Sequence, residues 1–141
     1  MHVKEFYGSE SLSQRYFFIA ELKQKFPGLN VIVHDDACHL RKFATARSGD
    51  SELAFNLAFP QVAYVTDGFH STGHIDEWCK ANCDPKLPHN AELVKDVNTS
   101  ICEQTFRETN RFKYMVQHMH RFTATVFVNE IMDLRNASKG I

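Results

Sequence analysis

Two short apolar runs each end in residues able to bind metal. Val31-Ile32-Val33 leads into His34-Asp35-Asp36-Ala37-Cys38-His39. Val62-Ala63-Tyr64-Val65 leads through Thr66 into Asp67-Gly68-Phe69-His70, followed by His74, Cys79 and Cys83. Glu103 stands near the start of a long stretch without proline. Carboxylates at strand ends beside a helix-borne Glu can converge on divalent cations, and a mixed His/Cys set can hold zinc.

The His70-x3-His74-x4-Cys79-x3-Cys83 spacing is the sharper of the two signals. Neutral imidazole and thiolate are preferred zinc ligands, and four of them close a structural site. On one straight helix, however, the His pair and the Cys pair would point about 180° apart. A shared ion therefore requires a break between Ile75 and Trp78, or a substitute ligand. Cys38 is the first candidate substitute and His39 the second, since both follow the first apolar run. The competing explanation is two surface histidines and two reduced thiols. Trp78 reads as an anchor packing this region, and Cys102 as a small core residue.

The carboxylates also have structural explanations. Asp35 and Asp36 occupy a strand end, where ligands bind in open α/β sheets, but either could simply cap the helix that starts near Ala37. Asp67, followed by Gly68, suits a turn better than catalysis. Ser100-Ile101-Cys102-Glu103 matches a capping box, in which the Glu side chain bonds back to the cap amide. Arg107, Arg111 and His118 share a helix face that could follow a phosphate backbone; a solvated face explains them equally well.

The elements that must position these residues follow from hydrophobic periodicity. A helix capped by Ser11 or Ser13 runs to about Phe26, with Phe17, Phe18, Leu22 and Phe26 as its apolar face and Pro27-Gly28 as its stop. Leu29 to Val33 and Gln61 to Thr66 read as buried strands. A helix from about Leu40 is interrupted at Ser48-Gly49-Asp50, and another spans Glu52 to Phe59, ahead of Pro60. The alternation predicts α/β architecture with the two strands as parallel neighbours, placing Asp35 and Asp67 at one sheet edge. From Ser100 to about Arg135 the three- and four-residue spacing of Phe112, Met115, Val116, Met119, Phe122, Val126, Ile131 and Leu134 predicts one helix roughly 50 Å long. The expected organisation is a single domain over 1–136, with a zinc-type insert at 69–98 and a frayed tail at 137–141.

Composition narrows the function classes. A chain of 141 residues that is 43% hydrophobic and carries 12 Phe is not disordered. Its formal net charge of -1 gives no global field for polyanions, so any DNA contact needs a local patch. No apolar run of about 18 residues is present to span a membrane. Met1 to Glu10 lacks the apolar core of a signal peptide. The expected location is nuclear or cytoplasmic rather than secreted, with the four cysteines as thiols or metal ligands.

Three stretches resemble the catalytic domain of eukaryotic DDE transposases with an RNase H-like fold, closest to the Kyakuja–Dileera–Zisupton group. His34-Asp35-Asp36-Ala37-Cys38 is similar to that group's Y-D-x-A-C strand end. Phe69-His70-x3-His74 followed by Cys79 is similar to its F-H-x-x-x-H…C element. Asn98 to Gln104 corresponds to the start of the helix that bears the catalytic Glu. The resemblance covers about Leu29 to Asn136. It implies a partial RNase H-like α/β fold: short parallel strands with flanking helices, a zinc-type insert and a long C-terminal helix. It implies Asp35 and Glu103 as catalytic carboxylates holding Mg²⁺ or Mn²⁺; Arg107 and Arg111, on the helix face described above, are the expected nucleic-acid contacts. Structural zinc would sit on His70, His74, Cys79 and Cys83. DNA is the expected partner, self-association a further one, and no membrane is expected. The family's first Asp lies on a strand upstream, and no Asp precedes Asp35 here. The chain thus resembles the C-terminal half of a transposase core, expected to be inactive alone. Two other readings stay open: a non-catalytic zinc-stapled DNA- or protein-binding module, and a small metallohydrolase using Asp35, Asp67 and zinc.

Overall fold

The computed structural model describes residues 9–140. The leader reading of 1–8 and the end of the frayed tail at Ile141 fall outside them. The described residues form two compact units, 9–100 and 101–140.

The first unit opens with α1 (Leu12–Lys25), which starts at a full capping box: the Ser11 hydroxyl accepts the Gln14 N–H, and the Gln14 side chain accepts the Ser11 N–H. Its buried residues are Tyr16, Ile19 and Ala20. This corrects the expected Phe-rich face, since Phe17 and Phe26 are exposed. The i, i+3, i+4 spacing of Tyr16, Ile19 and Ala20 makes the continuous stripe that meets the core.

β1 (Val31–Val33) and β2 (Ala63–Val65) pair in parallel, Val31 with Ala63 and Val33 with Val65, as the sequence predicts. His34 N–H extends the ladder by donating to the Val65 carbonyl (3.1 Å). β2 is the more deeply buried of the two; all three residues of β1 are only half-buried, short of the expected fully buried strand. Among the described residues each strand has one neighbour, so both are edges there and are covered by helices.

α2 (Ala37–Ala46) follows β1, and α3 (Glu52–Leu57) lies between α2 and β2. Ser51 caps α3 by accepting the Ala54 N–H (3.1 Å). Ala37, Leu40, Ala44, Leu57, Val62 and Tyr64 join the buried face of α1 in one core. Each fully buried large apolar side chain there contributes about 1.5–3 kcal/mol. The Tyr64 hydroxyl donates to the Leu57 carbonyl (2.6 Å), so its burial leaves no unmade bond.

After β2 come a 3₁₀ turn (His70–Gly73), α4 (Glu77–Cys83) and α5 (Pro88–Val94). Thr66 N–H donates to the Cys83 carbonyl (2.8 Å), which pins the end of α4 to the exit of β2. Asn90 is buried and donates to the Asp84 carbonyl (2.9 Å), closing the α4–α5 turn. Residues 69–98 therefore belong to the same compact unit as the strands.

The second unit does not contain the single long helix that periodicity predicts. It comprises α6 (Ile101–Thr109), a 3₁₀ turn (Asn110–Phe112), α7 (Lys113–Gln117) and α8 (Arg121–Lys139). His120 takes φ -59 and ψ 144, outside the helical region, where the chain turns back. Two contacts hold the reversal. The Phe112 and Phe127 rings meet edge to face with centroids 5.8 Å apart, and Arg135 Nε lies 2.6 Å from Glu108 Oε2. A straight rod would leave both pairs unmade, so tertiary contact overrides local periodicity. α8 also continues to Lys139, beyond the expected fray at 137, and ends at Gly140 in the left-handed conformation (φ 72).

Candidate metal centre

The parallel register brings the segments that leave β1 and β2 to one edge of the sheet. Cys38, the second residue of α2, is fully buried. His74 follows the 3₁₀ turn in an extended conformation (φ -78, ψ 115), and Asp76 then caps α4 by accepting the Trp78 N–H. The break required between the His pair and the Cys pair is thus present. It lets His74 face Cys79 rather than point away from it.

Cys38, His74 and Cys79 form a group whose ligand atoms lie within 4.8 Å of one another. His74 Nδ1 is 2.9 Å from Cys79 Sγ and 3.6 Å from Cys38 Sγ. The two sulfurs are joined as a disulfide, with Cα atoms 5.4 Å apart, inside the usual range for a bridge. This differs from the expectation of thiols or metal ligands throughout. The reason is that α2 and α4 bring the two residues face to face across the same buried spot. One pair of sulfurs can serve either state: a disulfide when oxidised, two thiolate donors when reduced. While the sulfurs form a disulfide, His74 Nδ1 hydrogen-bonds them; once they are reduced, it supplies the third of the four donors that a structural zinc takes. The residues present therefore fit a soft divalent metal in the dithiol state.

Cys38 was expected only as a substitute ligand; here it is a full member, and His70 and Cys83 stand outside the group among the described residues. His70 Nδ1 lies 2.5 Å from Asp67 Oδ2. Asp67, which is buried, also accepts the N–H groups of Phe69 (2.8 Å) and His70 (3.1 Å), which is the turn role its sequence suits. Burial opposes its ionisation, but the hydrogen bonds from His70 and Phe69 outweigh this and hold its carboxyl below the usual value. Cys83 packs with Cys38, Cys79 and Trp78 as a buried thiol, pushed up by desolvation that the Arg41 guanidinium partly offsets. His39 Nδ1, 3.7 Å from Cys38 Sγ, belongs with Asp36 and Cys38 to a second, more exposed group.

Asp35 follows the end of β1 with a half-exposed side chain. Its Oδ1 accepts the Asp36 N–H (2.8 Å) and lies 2.5 Å from His34 Nδ1. Asp36 sits at the N-cap of α2 without making the side-chain cap bond. Its carboxylate instead engages His39 and the Arg15 guanidinium (3.3 Å), tying α1 to α2. Glu103 lies in the second unit, exposed on the first turn of α6. With Phe106, Arg107, Lys113 and Met132 it lines an open cleft of roughly 580 Å³ within that unit. Arg111 Nε donates to the Glu108 carbonyl (2.9 Å) across the 3₁₀ turn.

Fold and site together define a mixed α/β protein with a short parallel strand pair and a Cys/His group able to hold a metal ion. No helix among the described residues is long and apolar enough to cross a membrane. No family model, curated protein or solved structure matches the chain.

Proposed function

We propose that this chain is a zinc-stapled, RNase H-like part of a DNA transposase core, with zinc held by Cys38, His74 and Cys79. The observation that supports this reading most is one of placement. Asp35 lies two residues past the end of β1, and the Cys38–His74–Cys79 group bridges the segments that leave both parallel strands. A metal there would fix the carboxyl edge of the sheet, where a catalytic carboxylate must be held still.

In this reading Asp35 and Glu103 are two of the carboxylates that bind Mg²⁺ or Mn²⁺. Such ions supply Lewis-acid activation of water or a 3′-hydroxyl for attack on phosphate. Asp35 suits the role because its side chain is half-exposed while its Oδ1 is steadied by the Asp36 N–H. Arg107 and Arg111 would follow the DNA backbone. These residues supply two of the three carboxylates this reading requires, so on their own they should bind DNA without cutting it. An appended strand bearing an Asp should restore Mn²⁺-dependent strand cleavage, and Glu103→Gln or Asp35→Asn should abolish it. Cleavage unchanged in either variant removes that residue from the mechanism.

A second reading, a zinc-stapled DNA- or protein-binding module without catalysis, has its own observation. One oxygen of the Asp35 carboxylate, Oδ1, is already engaged by both His34 and the Asp36 N–H, which competes with a metal for that atom. Salt-dependent DNA binding without cleavage, even after the strand is restored, would favour it.

A further inference from the structure

We propose that the cleft between α2 and α4, walled by Arg41, Lys42, Phe59 and Trp78, is a stacking site for single-stranded nucleic acid. It does not depend on Asp35 or Glu103; Trp78 packs against Cys38, Cys79 and Cys83, so the oxidation state of that group is held fixed throughout the test.

The cleft has a volume of roughly 390 Å³. The Phe59 ring is exposed on its wall, and the half-buried Trp78 ring forms another part of it. Two cations lie over these rings. Arg41 Cζ is 3.8 Å from the Phe59 centroid and 5.5 Å from that of Trp78, and Lys42 Nζ is 4.4 Å from the Trp78 centroid. Arg41 is held in place by donating to the Asn82 carbonyl (2.9 Å). A guanidinium plane fixed beside two aromatic faces is a platform on which bases stack, and an exposed lysine at its rim reaches phosphate.

Charge argues against a purely ionic partner. Of the two lining cations, Lys42 pairs with Asp76 (3.1 Å) and must exchange that partner for phosphate, which lowers the purely ionic gain. An acidic peptide would gain little there, and would leave the aromatic faces unused. A duplex keeps its bases inside, where these rings cannot reach them. Splayed single-stranded bases satisfy both the rings and the cations.

Trp78 is the chain's only tryptophan, so its fluorescence reports on the cleft directly. The full chain is titrated with a short oligodeoxythymidylate, a duplex of equal length, heparin and a polyglutamate peptide. The expected result is saturable quenching by the single strand, about 10-fold tighter than by the other three. Neutralisation of two phosphates predicts a log–log salt slope of about -1.4. Phe59→Ala should weaken binding about 10-fold. Lys42→Gln, a change at an exposed side chain, should flatten the slope by about 0.7, and it decides the matter if Phe59→Ala does not fold. Absence of quenching overturns the proposal, as does equal or tighter binding of duplex, heparin or polyglutamate. So does unchanged affinity in folded Phe59→Ala or an unchanged slope in Lys42→Gln.

Discussion

Residues 9–100 and 101–140 are both largely helical, yet they are held together by different means. The first unit buries Leu40, Leu57, Val62, Tyr64 and Val65 almost completely and ties its segments with Cys38, His74 and Cys79. The second buries only Met132 among its apolar residues, with Thr105 and Asn136, and leaves Phe106, Tyr114, Met115, Phe122 and Leu134 exposed. Among the contacts that hold its reversal are the Phe112–Phe127 ring pair and the Glu108–Arg135 ion pair. Chemistry that demands fixed geometry belongs in a unit whose side chains are locked by packing, and that is where the Cys/His group lies. The second unit should open locally at much lower cost.

Thiol chemistry should give the largest contrast between the units. Cys83 is fully buried and its thiol is pushed up by desolvation, whereas Cys102 is exposed on α6. An aromatic disulfide reagent should modify Cys102 at once and Cys83 only as the core opens, slower by about 10³-fold or more. Equal rates would mean that the first unit is not the stable one.

Truncation of a core side chain comes next. Leu40→Ala should cost about 2–5 kcal/mol in urea unfolding, because the cavity it leaves is closed on every side. Met132→Ala should cost less than about 2 kcal/mol, since that side chain borders an open cleft and leaves no sealed void. A larger loss for Met132 would reverse the comparison.

The sequence's legibility follows the same division. The parallel strands and the shared edge of Asp35 and Asp67 could be read because β-branched runs followed by polar residues carry a local signal. The break near Asp76 follows from helix geometry only on the premise of one shared ion, since an unbroken helix would point the His and Cys pairs apart. The primary role of Cys38 could not, because it depends on how α2 lies against α4 across 41 residues of sequence. The buried stripe of α1 is hard to read because the bulkier Phe17 and Phe26 mask the Tyr16, Ile19, Ala20 spacing. The turn at His120 was missed because neither Pro nor Gly marks it, and the contacts that hold it, Phe112 to Phe127 and Glu108 to Arg135, are tertiary. The cleft at Phe59 and Trp78 had no local signature, since its walls come from separate stretches of chain.

The smallest effect should come from acid. The hydrogen bond from Arg135 holds the Glu108 carboxyl below the usual glutamate value, and the charges of Arg135, Lys139 and Arg111 add to this, so the folded pKa is lowered. Its contribution is complete above about pH 4.3 and is lost as pH falls through the lower folded value. A small loss of helical circular dichroism should appear in that window and be absent in Arg135→Gln. A step that persists in Arg135→Gln would assign it to another group.

The most direct test of the metal-centre reading is the zinc content of the full chain, purified and dialysed under reducing conditions. The arrangement of His74 against both sulfurs predicts about one tightly held zinc per chain. That zinc should be lost in His74→Ala and in Cys79→Ser, and kept in His70→Ala. Well under one zinc per reduced chain, or full retention in His74→Ala, would contradict the reading and leave Cys38 and Cys79 as a disulfide alone.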